Sequence, residues 1–251
     1  MDGVKPYGDG RAKGAQIAGM FDRIAHSYDA LNHVLSLGID RRWRRTAVRQ
    51  LARMLPHPPS EGALRVLDVA TGTGDLAIDA CRQIHRLSVL GIDISDAMMD
   101  IGRRKVERRA LTDRITLRHE DCEALSLRDG SMDAVMSAFA LRNFQRLDEC
   151  LREMHRVMKP GAPIVVIDLC APQHAPMRQL FHIYQHGLMP LAGRLIAGDK
   201  TAYAYLPASM KAVPQGEDMA QRFRRVGFND VAHKYLFSNM CVMYYAHKNI
   251  S

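Results

Sequence analysis

Short apolar runs alternate with helix-like segments through the middle of the chain. Runs rich in valine, isoleucine and leucine predict strands over 64–69, 87–92, 115–118, 132–139 and 164–169. Apolar residues three or four positions apart predict helices between them, over 75–84, 96–109 (capped by Ser95 or Asp96) and 147–158. This alternation of strand and helix predicts a mostly parallel sheet with helices on both faces.

The sequence before this alternation predicts a helical cap. Residues 1–14 are polar and glycine-rich, and we expect them to form a disordered arm. Apolar spacing then predicts a helix over 17–36 and a second helix over 40–55, with Asp40 as the N-cap of the second. A cluster of prolines ends the second helix, so 15–60 are predicted as an N-terminal helical cap.

The sequence after the alternation predicts an insert and two further strands. Residues 172–214 carry many apolar side chains without a strand pattern, so a helical insert is expected there. A helix over 217–226 and strands over 228–237 and 241–247 follow. The whole of 15–251 is therefore predicted to be one α/β domain, with a doubly wound, mostly parallel, seven-stranded sheet.

A glycine turn between the first strand and its helix is the strongest local signal. Gly72, Gly74 and Ala77 have the G-x-G-x-x-G/A spacing of nucleotide-binding loops, and Asp93 follows at the distance of a ribose-binding acid. This pattern alone suits NAD, FAD or S-adenosylmethionine.

Two acids beside the turn favour the last of these cofactors. Asp68 lies in the strand that enters the turn, and Asp75 is expected in the first turn of the helix. A dinucleotide places its pyrophosphate at that helix terminus, where a carboxylate would repel it. S-adenosylmethionine carries an ammonium and a sulfonium and no phosphate, so the sequence predicts a methyl-donor site.

The composition indicates the redox state of the cysteines and the kinds of partner that suit the net charge. The 251 residues include five scattered cysteines without a C-x-x-C motif, which indicates free thiols in a reducing cytosol rather than disulfides or a metal site. The net charge is +8, with basic clusters at 41–45 and 103–109. Such clusters are typical of solvated helix faces, but they also suit an anionic membrane surface. No recognition module accompanies the charge, so we do not expect nucleic acid as a partner.

Four further segments resemble the C-methyltransferases of ubiquinone and menaquinone biosynthesis, within the class I S-adenosylmethionine-dependent methyltransferases. The resemblance covers 17–247 and is carried by 20–43, 67–75, 138–144 and 156–161. Tyr28-Asp29-Ala30-Leu31-Asn32 together with Leu141-Arg142-Asn143 is its most specific part. The chain departs from the usual pattern of the family at Leu31, Asp40, Ala138, Ala140, Ala162, Asp168 and Cys170.

The resemblance implies a set of cofactor-binding residues. Asp93 is expected to bind the ribose hydroxyls, and Asp121 and Cys122 to flank the adenine. The alternatives are a capping or surface acid for Asp93 and a turn acid for Asp121. Cys122 is expected to be a small apolar wall rather than a nucleophile, since no His or Lys partner is indicated. The complete implied set is Asp68, Gly72, Thr73, Gly74, Asp93, Ile94, Asp121, Cys122 and Ala138.

The resemblance also implies an acceptor, the ring carbon of a polyprenyl hydroquinone. Carbon is a weak nucleophile until a ring hydroxyl ionises, so a phenolate stabiliser or a base is needed. Arg142, Asn143 and Tyr28 are the predicted catalytic residues. The alternative for Arg142 is a salt bridge to Asp29 or Asp148, and for Tyr28 it is helix packing. Base candidates are His26, His33 and Asp168.

The leading functional hypothesis is methylation of demethylmenaquinol to menaquinol, with the insert over the prenyl tail. Alternatives are ubiquinone-pathway benzoquinol methylation, another phenolic or isoprenoid acceptor, a non-catalytic cofactor-binding protein and an NAD-dependent oxidoreductase. We expect a cytoplasmic enzyme, peripherally attached to the inner face of the membrane. A homodimer is an alternative to a monomer, and no metal is expected.

Overall fold

The parallel sheet expected from the sequence is present. The computed structural model describes residues 4–36, 38–56, 62–172, 200–236 and 239–250, together with Ala175 and Gln179. The strands are β1 (Leu64–Val69), β2 (Leu87–Asp93), β3 (Ile115–His119), β4 (Ala134–Ala138), β5 (Pro163–Leu169), β6 (Phe228–Leu236) and β7 (Cys241–Lys248). They form one seven-stranded sheet in the order β3-β2-β1-β4-β5-β7-β6.

The helices cover both faces of this sheet. Those with described ends are α1 (Lys13–Leu35), α2 (Ile39–Met54), α3 (Asp75–Gln83), α4 (Asp96–Glu107), α5 (Leu147–Val157), α6 (Lys200–Ala212) and α7 (Glu217–Val226). A 3-10 turn over Leu141–Asn143 follows β4. Strand order reverses between β1 and β4, which is where α/β proteins of this topology bind ligands.

Alternate residues of the central strands point to opposite faces of the sheet and pack into two separate hydrophobic cores. Val66 and Val165 belong to the core beneath α2 and α3. Leu67 and Val166 face the opposite way, into the core that also contains α5 and α7. A strand buried on both faces reads as a continuous apolar run, which is why β1 and β5 are evident in the sequence. The predicted doubly wound fold is confirmed.

The N-terminal segment differs from the disordered arm expected over 1–14. Within residues 4–12, the Tyr7 backbone N–H donates to the Gln16 side chain at 2.8 Å, and Gln16 in turn donates to the Arg11 carbonyl. Val4 and Tyr7 pack on a small apolar cluster that contains Ile17. Glycine content suggested disorder, but these tertiary contacts hold the segment against α1, which begins earlier than expected, at Lys13.

The expected N-cap of α2 is wrong, whereas that of α4 is confirmed. Gly38, with a φ of 75°, precedes α2, and Asp40 lies inside its first turn. There Asp40 accepts from the Arg44 guanidinium at 2.8 Å, so its carboxylate is used by an ion pair within the helix. Ser95 caps α4 by accepting from the Met98 backbone N–H.

Part of the predicted insert over 172–214 is described. α6 lies within it and contacts the Leu141–Asn143 turn, where the Tyr205 hydroxyl donates to the Arg142 carbonyl at 3.4 Å. Residues 173–174, 176–178 and 180–199 lie outside the described part of the chain. Among the described helices, none has both the length and the apolar character needed to cross a membrane.

Candidate functional site

One cavity lies at the carboxyl ends of β1, β2 and β4, beneath α1. It brings together eight of the residues that the sequence predicts for the site: Tyr28, Gly72, Asp93, Ile94, Asp121, Cys122, Ala138 and Asn143. Parallel strands end at the same edge of a sheet, and this common edge explains how loops far apart in sequence meet here. The predicted cofactor and acceptor residues therefore share one space.

The carboxylate of Asp93 is held rigidly at the end of β2. It accepts from the Gly72 backbone N–H at 2.7 Å and from the Ser95 backbone N–H at 2.9 Å. Burial raises the pKa of Asp93, and the backbone donors oppose that shift. These two bonds fix the orientation of a carboxylate that lines the cavity, as a hydroxyl-binding acid requires.

Left-handed backbone conformations shape the loop after β1. Gly72 has a φ of 53° and Gly74 a φ of 77°, and Ala70 also adopts a positive φ, of 55°. Glycine adopts this region without the steric penalty of a side chain. Gly72 lines the cavity, whereas Gly74 serves as the N-cap of α3.

Four predicted site residues lie outside the cavity lining that the structure describes. They are Asp68, Thr73, Gly74 and Arg142. Asp68 is 1% exposed and accepts from the Thr71 hydroxyl at 2.6 Å, so it supports the loop from below. Burial raises the pKa of Asp68 to about 7, and the hydrogen bond from Thr71 opposes this shift.

Thr73 connects the cofactor loop to α1. Its hydroxyl donates to Asp29 at 2.7 Å, and Lys105 on α4 donates to both Asp29, at 2.9 Å, and Thr73, at 3.0 Å. A second anchor lies at the opposite end of α4, where Asp22 accepts from the Ser95 hydroxyl at 2.6 Å. α1 is therefore fastened over the cavity by two carboxylates.

Asp75 is paired with cations of the protein, which corrects the prediction that its charge favours S-adenosylmethionine. Asp75 does lie in the first turn of α3, but it forms ion pairs with Arg44, at 3.2 Å, and with Lys105. These cations lower the pKa of Asp75 against the opposing effect of burial. Its charge is thus balanced within the protein, so the choice of methyl donor does not rest on this residue.

Arg142 forms a buried ion pair with Asp168 on the neighbouring strand, not with Asp29 or Asp148. The side chains of Arg142 and Asp168 are 8% and 3% exposed. The guanidinium also donates to the Phe139 carbonyl at 2.5 Å, and its Nε is buried with no hydrogen-bond partner among the described residues. Since Asp168 is bound to a permanent cation, we assign it the positioning of Arg142 rather than the role of a base.

Asn143, in the Leu141–Asn143 turn, and Tyr28, on α1, both line the cavity. The Asn143 Oδ1 atom is buried and has no hydrogen-bond partner within the described residues. Burial raises the pKa of the Tyr28 hydroxyl, while a hydrogen bond with Asn32 and the charge of Arg142 oppose this. A buried acceptor without a partner is costly, which indicates that a ligand donor completes it.

The matched family model describes the ubiE/COQ5 methyltransferases and covers residues 10–248. The chain belongs to the ubiE/COQ5 methyltransferase family. It is therefore a C-methyltransferase, and the resemblance recognised in the sequence is confirmed.

Relatives of this methyltransferase match it over almost their full length. A demethylmenaquinone methyltransferase of Bacteroides fragilis is 44% identical over 245 residues, which are 98% of this chain and 97% of the relative. One of Porphyromonas gingivalis with the same name is 42% identical over 96% of each chain. The ubiquinone/menaquinone biosynthesis C-methyltransferase UbiE of Geotalea uraniireducens is 38% identical over 94% of this chain and 97% of the relative.

Solved structures share the fold at low sequence identity. The [4+2]-cyclase SpnF is 17% identical, with a TM-score of 0.68 over 95% of this chain and 97% of that one. Phosphoethanolamine N-methyltransferase 2 of Haemonchus contortus, in complex with S-adenosyl-L-methionine, is 14% identical, with a TM-score of 0.61 over 93% of this chain and 60% of that one. A cyclase and a methyltransferase on one fold illustrate that the site, not the fold, sets the reaction.

Several apolar residues that line the cavity of this methyltransferase were not among the predicted site residues. Ile17 and Phe21 on α1, Met98 on α4 and Phe139 after β4 all line it. Phe139 has a positive φ, of 63°, which is a strained conformation that a binding loop tolerates. The helical spacing of Ile17, Phe21 and Tyr28 was visible in the sequence, but it was used to predict the helix, and of the three only Tyr28 was predicted as a site residue.

Proposed function

We propose that this methyltransferase transfers a methyl group from S-adenosylmethionine to a ring carbon of a polyprenyl hydroquinone, and that demethylmenaquinol is its acceptor. One observation carries the proposal: Asp93 and Asn143 line the same cavity. The names of the relatives from Bacteroides fragilis and Porphyromonas gingivalis favour demethylmenaquinol over a benzoquinol.

The cofactor side of the cavity suits S-adenosylmethionine. Asp93 presents a fixed carboxylate for the two ribose hydroxyls. The backbone N–H of Gly72 donates to this carboxylate. Ile94 and Cys122 provide apolar walls for the adenine, with Asp121 at the exposed edge. When bound, S-adenosylmethionine supplies an electrophilic methyl group.

The acceptor side can raise the nucleophilicity of a hydroquinone ring. Asn143 Oδ1 accepts a hydrogen bond from a ring hydroxyl and so fixes the orientation of the ring. The Arg142 guanidinium, held by Asp168 behind the wall, stabilises the negative charge that develops on that oxygen as its proton passes to water. The Tyr28 hydroxyl lies at the same cavity and contributes a further hydrogen bond. His33 is exposed on another groove, so we do not assign it the role of base.

An acceptor that resides in the membrane would require the enzyme to bind the membrane surface, and a basic surface of the protein suits that role. The two basic clusters of the sequence meet in the structure, where Arg41, Arg108 and Arg109 line one groove between α2 and the end of α4. We propose that this groove contacts anionic phospholipid. Sedimentation with vesicles should show binding that requires anionic lipid and weakens as salt rises, because Coulomb attraction at a surface is screened. Equal sedimentation with neutral vesicles would contradict this.

A methyl-transfer assay tests the proposed function. Labelled S-adenosylmethionine is supplied with a short-chain demethylmenaquinone, with and without dithionite, and with a demethylated benzoquinone in parallel. We expect label in the naphthoquinone only under reducing conditions. Preference for the benzoquinone would move the protein to the ubiquinone branch, and transfer to the oxidised naphthoquinone would contradict the hydroquinone chemistry.

Two matched variants distinguish a loss of catalysis at the site from a general effect of replacing a residue. Asn143→Ala should lower kcat by about 10²-fold, since it removes the hydrogen bond that orients the ring for methyl transfer. Asn229→Ala, at an exposed position of β6, should leave kcat unchanged. Equal kcat for both variants would show that Asn143 has no role in the reaction.

A further inference from the structure

Two cysteine sulfurs are in direct contact beside the cavity. Cys122 Sγ lies 2.8 Å from Cys150 Sγ. Cys122 follows β3 and lines the cavity, whereas Cys150 lies at the start of α5 and is fully buried. A disulfide requires sulfurs about 2.05 Å apart, so the pair needs an approach of less than about 1 Å.

The remaining cysteines have a different environment. The thiols of Cys81, Cys170 and Cys241 each contact a backbone carbonyl oxygen, of Leu87, Asn239 and Val242 respectively. The pair of Cys122 and Cys150 is therefore distinguished by geometry.

We propose that Cys122 and Cys150 are a reversible redox site, in which oxidation to a disulfide weakens binding of the methyl donor. This rests on the proposed function, because it assigns Cys122 to the cofactor side of the cavity. With hydrogen peroxide as oxidant, Cys122 forms a sulfenic acid and releases one water. The Cys150 thiol then attacks that sulfur, an S–S bond forms and a second water leaves. Two thiols thus lose two electrons and two protons to one peroxide.

The order of these steps follows from access. Cys122 is 8% exposed and lies on the cavity wall, where a small peroxide reaches it. Cys150 is enclosed by the core, and burial raises its pKa far above the ordinary thiol value. Cys122 is consequently the residue that meets the oxidant, and Cys150 is the resolving thiol.

The surrounding contacts favour closure of the bond. Glu123, next to Cys122, accepts from the Arg146 backbone N–H at 2.8 Å and from the Arg146 side chain at 2.7 Å. This clamp already holds the loop after β3 against the start of α5. Movement of Cys122 toward Cys150 draws the sulfur away from the cavity, together with the neighbouring Asp121, and so loosens the adenine side of the site.

Peptide mapping tests the formation of the bond. Reduced protein is treated with hydrogen peroxide, alkylated and digested with trypsin without reductant. We expect residues 119–128 linked to residues 147–152, and separation of these peptides by dithiothreitol. Absence of the linked species would overturn the proposal. Cys81→Ala should still form it, whereas Cys150→Ala should not.

Calorimetry with S-adenosylmethionine tests the consequence. Oxidation should raise the Kd of wild-type protein at least about fivefold, reversibly, and leave the Kd of Cys150→Ala unchanged. An unchanged Kd in protein that contains the linked peptide would overturn the control of binding. If reduced protein fails to bind S-adenosylmethionine, the proposed function fails, whereas the linked peptide still decides whether the pair is a redox site.

Discussion

Asp168 holds both the backbone and the side chain of Arg142. Its carboxylate accepts from the Arg142 backbone N–H at 3.0 Å and forms an ion pair with the guanidinium of the same residue. Asp168 lies near the end of β5, and Arg142 lies in the 3-10 turn that follows β4. β4 and β5 are neighbouring parallel strands. One carboxylate therefore fixes the conformation of the turn and the position of its charge.

Removal of the Asp168 charge should affect both stability and rate. Asp168→Asn leaves a buried guanidinium unpaired, so the free energy of unfolding should fall by about 3–5 kcal/mol. The kcat should fall by roughly 10²-fold while the Kd of S-adenosylmethionine stays unchanged, because Asp168 does not line the cavity. Urea denaturation, steady-state kinetics and calorimetry measure these three quantities.

Two variants control this prediction. Asp168→Glu restores the charge and should recover most of kcat, which a purely structural loss would not. Asp129→Asn breaks an ion pair with Arg156 in which the Asp129 side chain is 78% exposed, and should change stability by less than about 1 kcal/mol. Asp168→Asn with wild-type kcat would show that the ion pair serves stability alone.

Replacement of Asp93 should weaken cofactor binding. Asp93→Ala removes a charged acceptor from the cavity and leaves the Gly72 and Ser95 N–H groups without their partner. The Kd of S-adenosylmethionine should rise roughly 10- to 100-fold by calorimetry. Asp96→Asn, at a carboxylate that is 69% exposed, is the matched control. A similar Kd for both variants would count against the ribose assignment.

Asp68 should make stability depend on pH. Its folded-state pKa is about 7, raised from 3.8 by burial, so the folded protein keeps a proton that the unfolded chain releases near pH 4. The contribution of Asp68 is thus fully present below about pH 4 and is lost as pH rises through about 7. The free energy of unfolding of wild type should fall relative to Asp68→Asn between pH 5 and 8, in urea titrations. Parallel pH profiles would contradict this.

Loss of Asp29 should loosen α1. Asp29→Ala removes the acceptor for Thr73 and one of two carboxylates that bind Lys105. Hydrogen exchange measured by mass spectrometry should become about tenfold faster in α1 and remain unchanged in α5. Asp100→Ala, which breaks an exposed pair with Arg103, is the control. Unchanged exchange in α1 would show that its apolar contacts suffice to hold it.

Most of the fold could be predicted because its signals are local. Strands buried on both faces are continuous apolar runs, as in β1 and β5, and the glycine loop carries a recognisable spacing. The end of α2 was likewise marked by proline. Local signals failed at Asp40, where an acid that resembles an N-cap is engaged by Arg44 one turn later.

The sequence predicted most residues of the candidate site, but it did not predict which of them contact each other. Eight predicted residues line one cavity, yet the salt bridge weighed as the alternative for Arg142 named Asp29 or Asp148 as its partner, whereas the structure has Asp168. Pairing between the turn after β4 and β5 depends on which strands are neighbours, and spacing along the chain does not specify that. The contact between Cys122 and Cys150 was hidden for the same reason.

The position of β7 between β5 and β6 has a consequence for synthesis of the protein on the ribosome. β7 pairs antiparallel with both neighbours, although β6 precedes it in the chain. β6 therefore emerges before the strand that joins it to the sheet, and it has no place to pair until residues 241–248 have been translated. Until then β5 is an open edge, so the nascent chain exposes a pairing surface that a truncated product would keep permanently.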